Sequence, residues 1–251
     1  MIGCIIQARM GSTRLPGKIL KELDHKNTIL DYVIEQTKYS KKIEKIIIAT
    51  TVLKQDQIIV NFCKKNGISF FIGSNNDVLD RYYQCAKKNS FDTIVRITSD
   101  NPLVDPEIID LAIEKFESGN FDMVTTCHIR SFPYGISVEV FSFKALEECW
   151  INAKMQSERE HVITYMHKKN NNFKIFNLIN EDNLTYINCT VDNESDYKLV
   201  KKVIYEIKER PILMKHLVKL FKEKPGLLEI NKDSDPYAGF KKSLNEDREI
   251  S

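Results

Sequence analysis

Ile2-Gly3-Cys4-Ile5-Ile6-Gln7-Ala8-Arg9-Met10-Gly11-Ser12-Thr13-Arg14-Leu15-Pro16-Gly17-Lys18 is the stretch from which the rest of the chain is read. An apolar, strand-like start runs straight into a loop that sets three cations among two glycines and a proline. Glycine lets the backbone come close to a ligand with its N–H groups inward, and Arg9, Arg14 and Lys18 bring the positive charge that a triphosphate requires. The spacing is not the Walker pattern of glycine, four residues and Gly-Lys-Ser/Thr, which disfavours an ordinary P-loop ATPase. A basic, solvated turn after a first strand is the plainer alternative.

Outward from this strand, short β-branched runs alternate with helical patterns. Ile2–Gln7, Lys45–Thr51, Ser69–Gly73, Thr93–Thr98 and Asp122–Thr126 read as strands, several apolar almost throughout, as central parallel strands covered on both faces are. Ile29–Tyr39, Gln55–Lys65, Val78–Lys88 and Pro106–Ser118 carry apolar residues at helical spacing, with Pro106 suited to a first turn. The alternation predicts an α/β fold with a doubly wound, mostly parallel sheet. Ligands of such sheets sit beyond the carboxyl ends of the strands, so loops 7–18, 74–80 and 98–105 are expected to face one crevice. The second half is less regular. Ile136–Phe141, Phe173–Leu178 and Thr185–Val191 read as strands, and Ser142–Ala153, Ser157–Lys168, Ser195–Glu209 and Leu213–Lys222 as helices. The polar tail beyond Lys224 is expected to be irregular or to fray.

At 251 residues with 42% hydrophobic content, the chain can bury a full core, and one domain over 1–251 is expected. Within it, 1–126 reads as the nucleotide-binding part, 127–190 as an irregular acceptor part, and 191–251 as a strand end, C-terminal helices and tail. A net charge of +2 with acids and bases mixed along the chain gives no field for gripping a nucleic-acid backbone. Six cysteines lie far apart with no C-x-x-C pair, which reads as buried thiols in a reducing compartment rather than a zinc site. With no leader pattern and no apolar run of ~18 residues, the expectation is a cytoplasmic protein without a membrane partner.

Three further constellations bear on chemistry. In Arg96-Ile97-Thr98-Ser99-Asp100-Asn101-Pro102 an apolar strand runs into an acidic turn at the expected ligand edge. Asp100 there suits Mg2+, a hard ion that takes oxygen ligands; alternatively, Asp100 and Asn101 are turn formers before proline. In Thr190-Val191-Asp192-Asn193-Glu194-Ser195-Asp196 the carboxylate of Asp192 suits a partner metal ligand, while Asp192 or Asn193 also suits a helix N-cap. The third is Pro133–Phe141 together with Ser157–Val162, a polar cluster suited to reading an acceptor through Glu139, Arg159, Glu160 and His161. Its alternative is a solvent-facing strand residue and a charged helix face.

The first loop together with Ile94–Pro106, Gly135–Phe141, Ser157–Thr164 and Thr190–Val200 resembles the cytidylyltransferases that make CMP-activated sugars, most closely their SpsF-like branch, from Ile2 to about Leu244. The loop itself is similar to the Ala-Arg, Ser-Thr-Arg-Leu-Pro-Gly-Lys loop that holds the CTP phosphates in CMP-Kdo synthetases. The resemblance implies a nucleotide-diphospho-sugar transferase-like fold. It also implies a loop of Gln7, Ala8, Arg9, Gly11, Ser12, Arg14 and Lys18 around CTP, and an Mg2+ pair of Asp100 and Asp192. The segment Ser74–Arg81, with Ser74, Asp77 and Asp80, is implied to lie near the cytosine. The second half resembles the dimerising portion of related synthetases, which implies a homodimer. Ser137 departs from the aspartate common in SpsF-like chains, and Tyr134 stands at a variable position, which leaves the acceptor open.

The chemistry expected of such a site is in-line attack by a small anionic acceptor on the α-phosphorus of CTP, with pyrophosphate leaving. Two alternatives stay open on the residues alone. One is a nucleotide-binding module without turnover. The other is a glycosyltransferase, for which Asp233-Ser234-Asp235 in the tail is a weak metal-pair match.

Overall fold

The computed structural model describes residues 1–168 and 170–249. Its strands are β1 (Ile2–Gln7), β2 (Lys45–Thr51), β3 (Phe70–Gly73), β4 (Thr93–Thr98), β5 (Met123–Thr125), β6 (Glu139–Ser142) and β7 (Ile175–Asn177). Together they form one sheet in the order β3-β2-β1-β4-β6-β5-β7. Pairing is parallel except at β6, which runs antiparallel to both β4 and β5. The α/β, mostly parallel expectation is met.

Helices α1 (Ile29–Lys38), α2 (Gln57–Lys65) and α4 (Pro106–Ser118) cover one face, where Ile29, Val33, Ile59 and Ile109 join Cys4, Ile6 and Val95 in a common core. Helices α3 (Val78–Lys88) and α5 (Phe143–Asn152) cover the other, where Leu79, Tyr82 and Leu146 meet Ile5, Ala49 and Phe141. Period-two alternation along each strand feeds these two cores in turn, and each fully buried Ile or Leu contributes about 1.5–3 kcal/mol relative to exposure. Connections from β1 through β3 run on one face and the return to β4 on the other. The chain therefore reverses its winding between β1 and β4, and the crevice opens at their carboxyl ends.

The second half departs from expectation in four places. The run Thr185–Val191 is not a strand among the described residues. Both neighbours of β4 are already in place, so this extended segment passes the loop ends and makes one parallel bridge, Tyr134 with Asn188. The strand expected from Ile136 starts at Glu139, because Gly135 at φ +99° and a bond from Ile136 N–H to the Pro133 carbonyl first turn the chain. A side chain at Gly135 would come within 2.8 Å of the Cys189 backbone, so only glycine allows this approach. The helix expected over Ser157–Lys168 is the short α6 (Gln156–His161), ended by Val162 at φ +66°.

The tail does not simply run irregular. After α7 (Glu194–Glu206) and α8 (Met214–Glu223), a 3-10 segment (Pro225–Ile230) leads to α9 (Ala238–Asn245), which lies against α6. Ser157 donates to the Asp247 carboxylate through both backbone N–H (2.9 Å) and hydroxyl (2.7 Å). The amide of Asn231 donates to buried Asp196 at 2.8 Å. Polar composition masked this docking, because the attachment is made by hydrogen bonds more than by apolar burial. No helix among the described residues is long and apolar enough to cross a membrane.

Candidate active site

The loop after β1 is folded back on itself by its own backbone. Met10 N–H donates to the buried Asp56 carboxylate at 2.7 Å, and the Met10 carbonyl accepts from Ser12 N–H (2.9 Å) and Gly17 N–H (3.2 Å). Gly17 takes φ +67°, which a residue with a Cβ adopts only under strain. The turn delivers Lys18 onto a short 3-10 segment (Lys18–Leu20) pinned by the buried side chain of Ile19.

There the Lys18 ammonium donates to three oxygens: Asp100 Oδ2 at 3.0 Å, Asp192 Oδ1 at 2.9 Å and the Val191 carbonyl at 2.7 Å. Arg14 Nη2 lies 2.9 Å from the same Asp192 Oδ1. Two acids and two bases from remote parts of the chain thus form one neutral cluster.

Local chemistry frees both acids for this role. In the turn after β4, Asn101 makes the turn contacts, its amide donating to Thr98 Oγ1 at 2.9 Å, while Asp100 points to Lys18. The cap of α7 is Asn193, whose Oδ1 accepts from Ser195 and Asp196 N–H, so Asp192 is not needed there. A bond from Val191 N–H to the Asp100 carbonyl (2.9 Å) and one from Thr190 Oγ1 to Asn101 Oδ1 (3.1 Å) staple the two turns together. Burial works against charge on Asp100, yet the Lys18 charge and a Thr98 hydrogen bond hold its carboxyl below the usual range. For Lys18 burial again opposes charge, and Asp100 and Asp192 outweigh it and raise its pKa.

The other expected residues divide into two groups. Gln7 and Ala8 are carried to the crevice by β1, with Gln7 Oε1 buried and unpartnered, and Gly11 approaches Gln55. Ser12 Oγ accepts from Leu15 N–H at 3.3 Å and shapes the loop. Arg9 Nη2 faces Glu160 Oε1 at 3.5 Å, and Glu160 also accepts from Ser243 of the tail at 2.9 Å. His161 is half-buried, with its Nε2 atom buried and unpartnered and its ring edge-on to Phe240 at 4.9 Å. Burial lowers its pKa.

Ser74, Asp77, Asp80 and Arg159 stand apart, their side chains committed within the protein. Ser74 Oγ accepts from Asp77 N–H, and Asp77 caps α3 and accepts from Arg159 at 2.5 and 2.9 Å. Asp80 accepts from Trp150 Nε1 at 2.8 Å. Arg159 therefore ties α6 to α3. Glu139 is likewise no solvent-facing residue: it is 5% exposed and takes a 2.5 Å bond from Arg96. Burial works against the Arg96 charge, and the Glu139 carboxylate beside it outweighs that effect and raises its pKa.

Sequence reading missed Arg130 and the tail. The Arg130 guanidinium lies over Tyr134 (4.8 Å) and Tyr237 (5.9 Å), donates to Ser137 Oγ at 3.2 Å, and leaves Nε buried and unpartnered. Nothing in its local pattern marks Arg130. Arg96 did carry a signal, as a lone charge inside an apolar strand.

The residues present suit a divalent ion. Asp100 Oδ2 and Asp192 Oδ1 both lie within 3.0 Å of one cationic nitrogen, so the two carboxylates already turn oxygens toward a single positive centre. Two carboxylates with water completing the shell are the donor set that Mg2+ favours.

A family described as cytidylyltransferase matches residues 3–245. The spore coat polysaccharide biosynthesis protein SpsF of Bacillus subtilis is 33% identical over 230 residues, covering 88% of this chain and 94% of that one. A solved cytidylyltransferase from Leptospira borgpetersenii superposes with a TM-score of 0.86 at 35% identity, over 90% of this chain and 96% of the other. At the level of fold alone, a CMP:2-keto-3-deoxy-manno-octonic acid synthetase complexed with CTP aligns with a TM-score of 0.62 and 14% identity, over 82% and 98%.

Proposed function

This chain belongs to the cytidylyltransferase family, and from that premise we propose that it transfers CMP from CTP to a small sugar acid or related anion, releasing pyrophosphate, in the synthesis of a surface polysaccharide. The observation that carries the reading is the meeting of Lys18 and Arg14 with Asp100 and Asp192 at the carboxyl ends of β1 and β4. A phosphate binder needs the cations. Two carboxylates on the same point serve a reaction centre.

In this reading Asp100 and Asp192 hold Mg2+, which when bound supplies charge neutralisation at the reacting phosphates. Arg9, Arg14 and Lys18 bind the β- and γ-phosphates and neutralise them as the bridging bond breaks. An acceptor oxygen attacks the α-phosphorus in line; its bond forms, the bond to the β-phosphate oxygen breaks, and pyrophosphate leaves with the electron pair while the hydroxyl proton passes to water. No covalent intermediate with the protein is required, so catalysis is positioning and electrostatics. On the acceptor side, Arg130 over its two tyrosine rings, His161 and the Arg96–Glu139 pair line the neighbouring polar region. Arg159 and Asp77 serve as structural ties rather than as direct contacts. The cytosine lies in the segment Ser74–Arg81, and the protein works in the cytoplasm as a homodimer.

The test is pyrophosphate release with CTP and Mg2+ across a panel of sugar acids, including Kdo-type ulosonic acids, with GTP, ATP and UTP as controls. Release with CTP and one acid, abolished in Asp100→Ala, supports the reading. Near-normal release in Asp100→Ala overturns the metal role. Tight nucleotide binding without release under every condition leaves a binding module instead.

A further inference from the structure

Lys18 has more oxygen neighbours than a phosphate ligand in waiting needs. Its ammonium is nearly buried, with 11% of the side chain exposed, and meets one oxygen from each metal-pair carboxylate plus the Val191 carbonyl at 2.7–3.0 Å. Those are the same two carboxylates that the proposed reaction assigns to the divalent ion. The position is already filled by a cation.

We propose that Lys18 is the resident counter-ion of the metal pair, holding Asp100 and Asp192 together in the nucleotide-free protein and yielding them to a divalent ion only when triphosphate oxygens are present to receive its ammonium. The inference rests on the reading of Asp100 and Asp192 as metal ligands. Charge conservation supports it. Lys18 and Arg14 balance the two acids, so a divalent ion entering alone leaves the cluster with two surplus positive charges and a nearly buried ammonium without an anion. A triphosphate removes both penalties, because its oxygens pair Lys18 and Arg14 beside the ion. Metal and nucleotide then bind cooperatively, each raising the other's affinity by the same factor. Reach poses no obstacle, since Lys18 carries its charge on a flexible four-carbon stem at the lip of the loop.

The experiment titrates Mn2+ alone into nucleotide-free protein, with the free ion read by electron paramagnetic resonance. Wild type, Lys18→Gln, Lys18→Arg, Asp192→Asn and the Lys18→Gln/Asp192→Asn double variant are compared after circular dichroism confirms folding. Lys18→Gln is expected to bind Mn2+ about tenfold or more tightly than wild type, within the usual range of couplings. Lys18→Arg, which keeps the charge, should gain far less, and the double variant should lose the gain. Equal affinity in wild type and folded Lys18→Gln overturns the counter-ion role. If Asp192→Asn then lowers that shared affinity, the carboxylate reading survives alone; if it changes nothing, both fall. Should Lys18→Gln fail to fold, the 15N-ammonium resonance of Lys18 in wild type decides. It should hold its position with millimolar Mg2+ and move with Mg2+ plus CTP; movement with Mg2+ alone overturns the proposal.

Discussion

Lys18 Nζ stands 2.9 Å from Asp192 Oδ1, although 174 positions separate the two residues in the chain. The contact joins the loop after the first strand to the turn before α7, and it exists because the Val191 and Asp100 backbones are hydrogen-bonded at 2.9 Å. One ammonium thereby organises three segments of the molecule.

Removing that ammonium leaves two acids facing each other. Lys18→Ala is expected to lose about 1–3 kcal/mol of stability at neutral pH, less than a fully buried broken pair because both carboxylates keep some solvent contact. The size of the loss depends on pH. In wild type the depressed Asp100 pKa contributes stability above the ordinary carboxyl range that is lost as pH falls through the lowered value. In the variant, protonating one acid relieves repulsion, so the gap to wild type should narrow in acid. Denaturant melts at pH 7 and pH 4.5 measure this; a gap that does not narrow contradicts it.

Turnover should respond more sharply than stability. In the proposed reaction Arg14→Ala and Lys18→Ala each remove a cation from the leaving pyrophosphate and are expected to cost roughly 2–4 kcal/mol in the transition state, about one and a half to three orders of magnitude in rate. Single-turnover pyrophosphate release checks it, and a loss below tenfold for both would displace the loop from catalysis.

The Arg96–Glu139 pair crosses from β4 to antiparallel β6 with both side chains largely withdrawn from water. Glu139→Ala strands a buried guanidinium and should cost about 3–5 kcal/mol, whereas Arg96→Met/Glu139→Ala should recover part of that loss because no lone charge remains. Urea unfolding of the two variants gives the comparison. Equal destabilisation would mean that packing, not charge pairing, sets the cost.

Partial burial lowers the pKa values of both His161 and His167. The unfolded chain takes up protons on these rings before the folded one, so stability is present above the ordinary imidazole pKa of about 6.5 and declines as pH falls below it. Thermal midpoints should drop between pH 7.5 and pH 5.5. His161→Phe/His167→Phe should flatten that slope, and an unchanged slope would assign it to other groups.

Truncation after Lys232 tests the tail. Ser243 contacts Glu160, Phe240 meets His161 and Tyr237 flanks Arg130, so α9 and the residue before it support the region beside the loop after β1. The shortened chain is expected to keep its secondary structure by circular dichroism, melt a few degrees lower and lose at least about tenfold in kcat/KM, roughly 1.4 kcal/mol. A silent truncation would return the tail to the frayed segment that its composition suggests.

Local pattern determined a good deal. Continuous apolar runs marked β1, β2 and β4, helical spacing marked α3 and α4 over the residues observed, and the cations after β1 marked the loop that carries Arg14 and Lys18 into the charged cluster. These are short-range properties, carried by periodicity and by single residues such as Gly17 and Pro106. The tertiary structure alone decided what the charges do. It made Asn193 rather than Asp192 the cap, turned Asp77 and Arg159 toward each other, buried Glu139 against Arg96, and brought a polar tail to Arg130 and His161. The reason is physical: an apolar side chain is committed by its own transfer free energy, wherever its neighbours lie. A charge is committed only by the partner that folding delivers to it, and in this chain those partners come from segments far away in sequence.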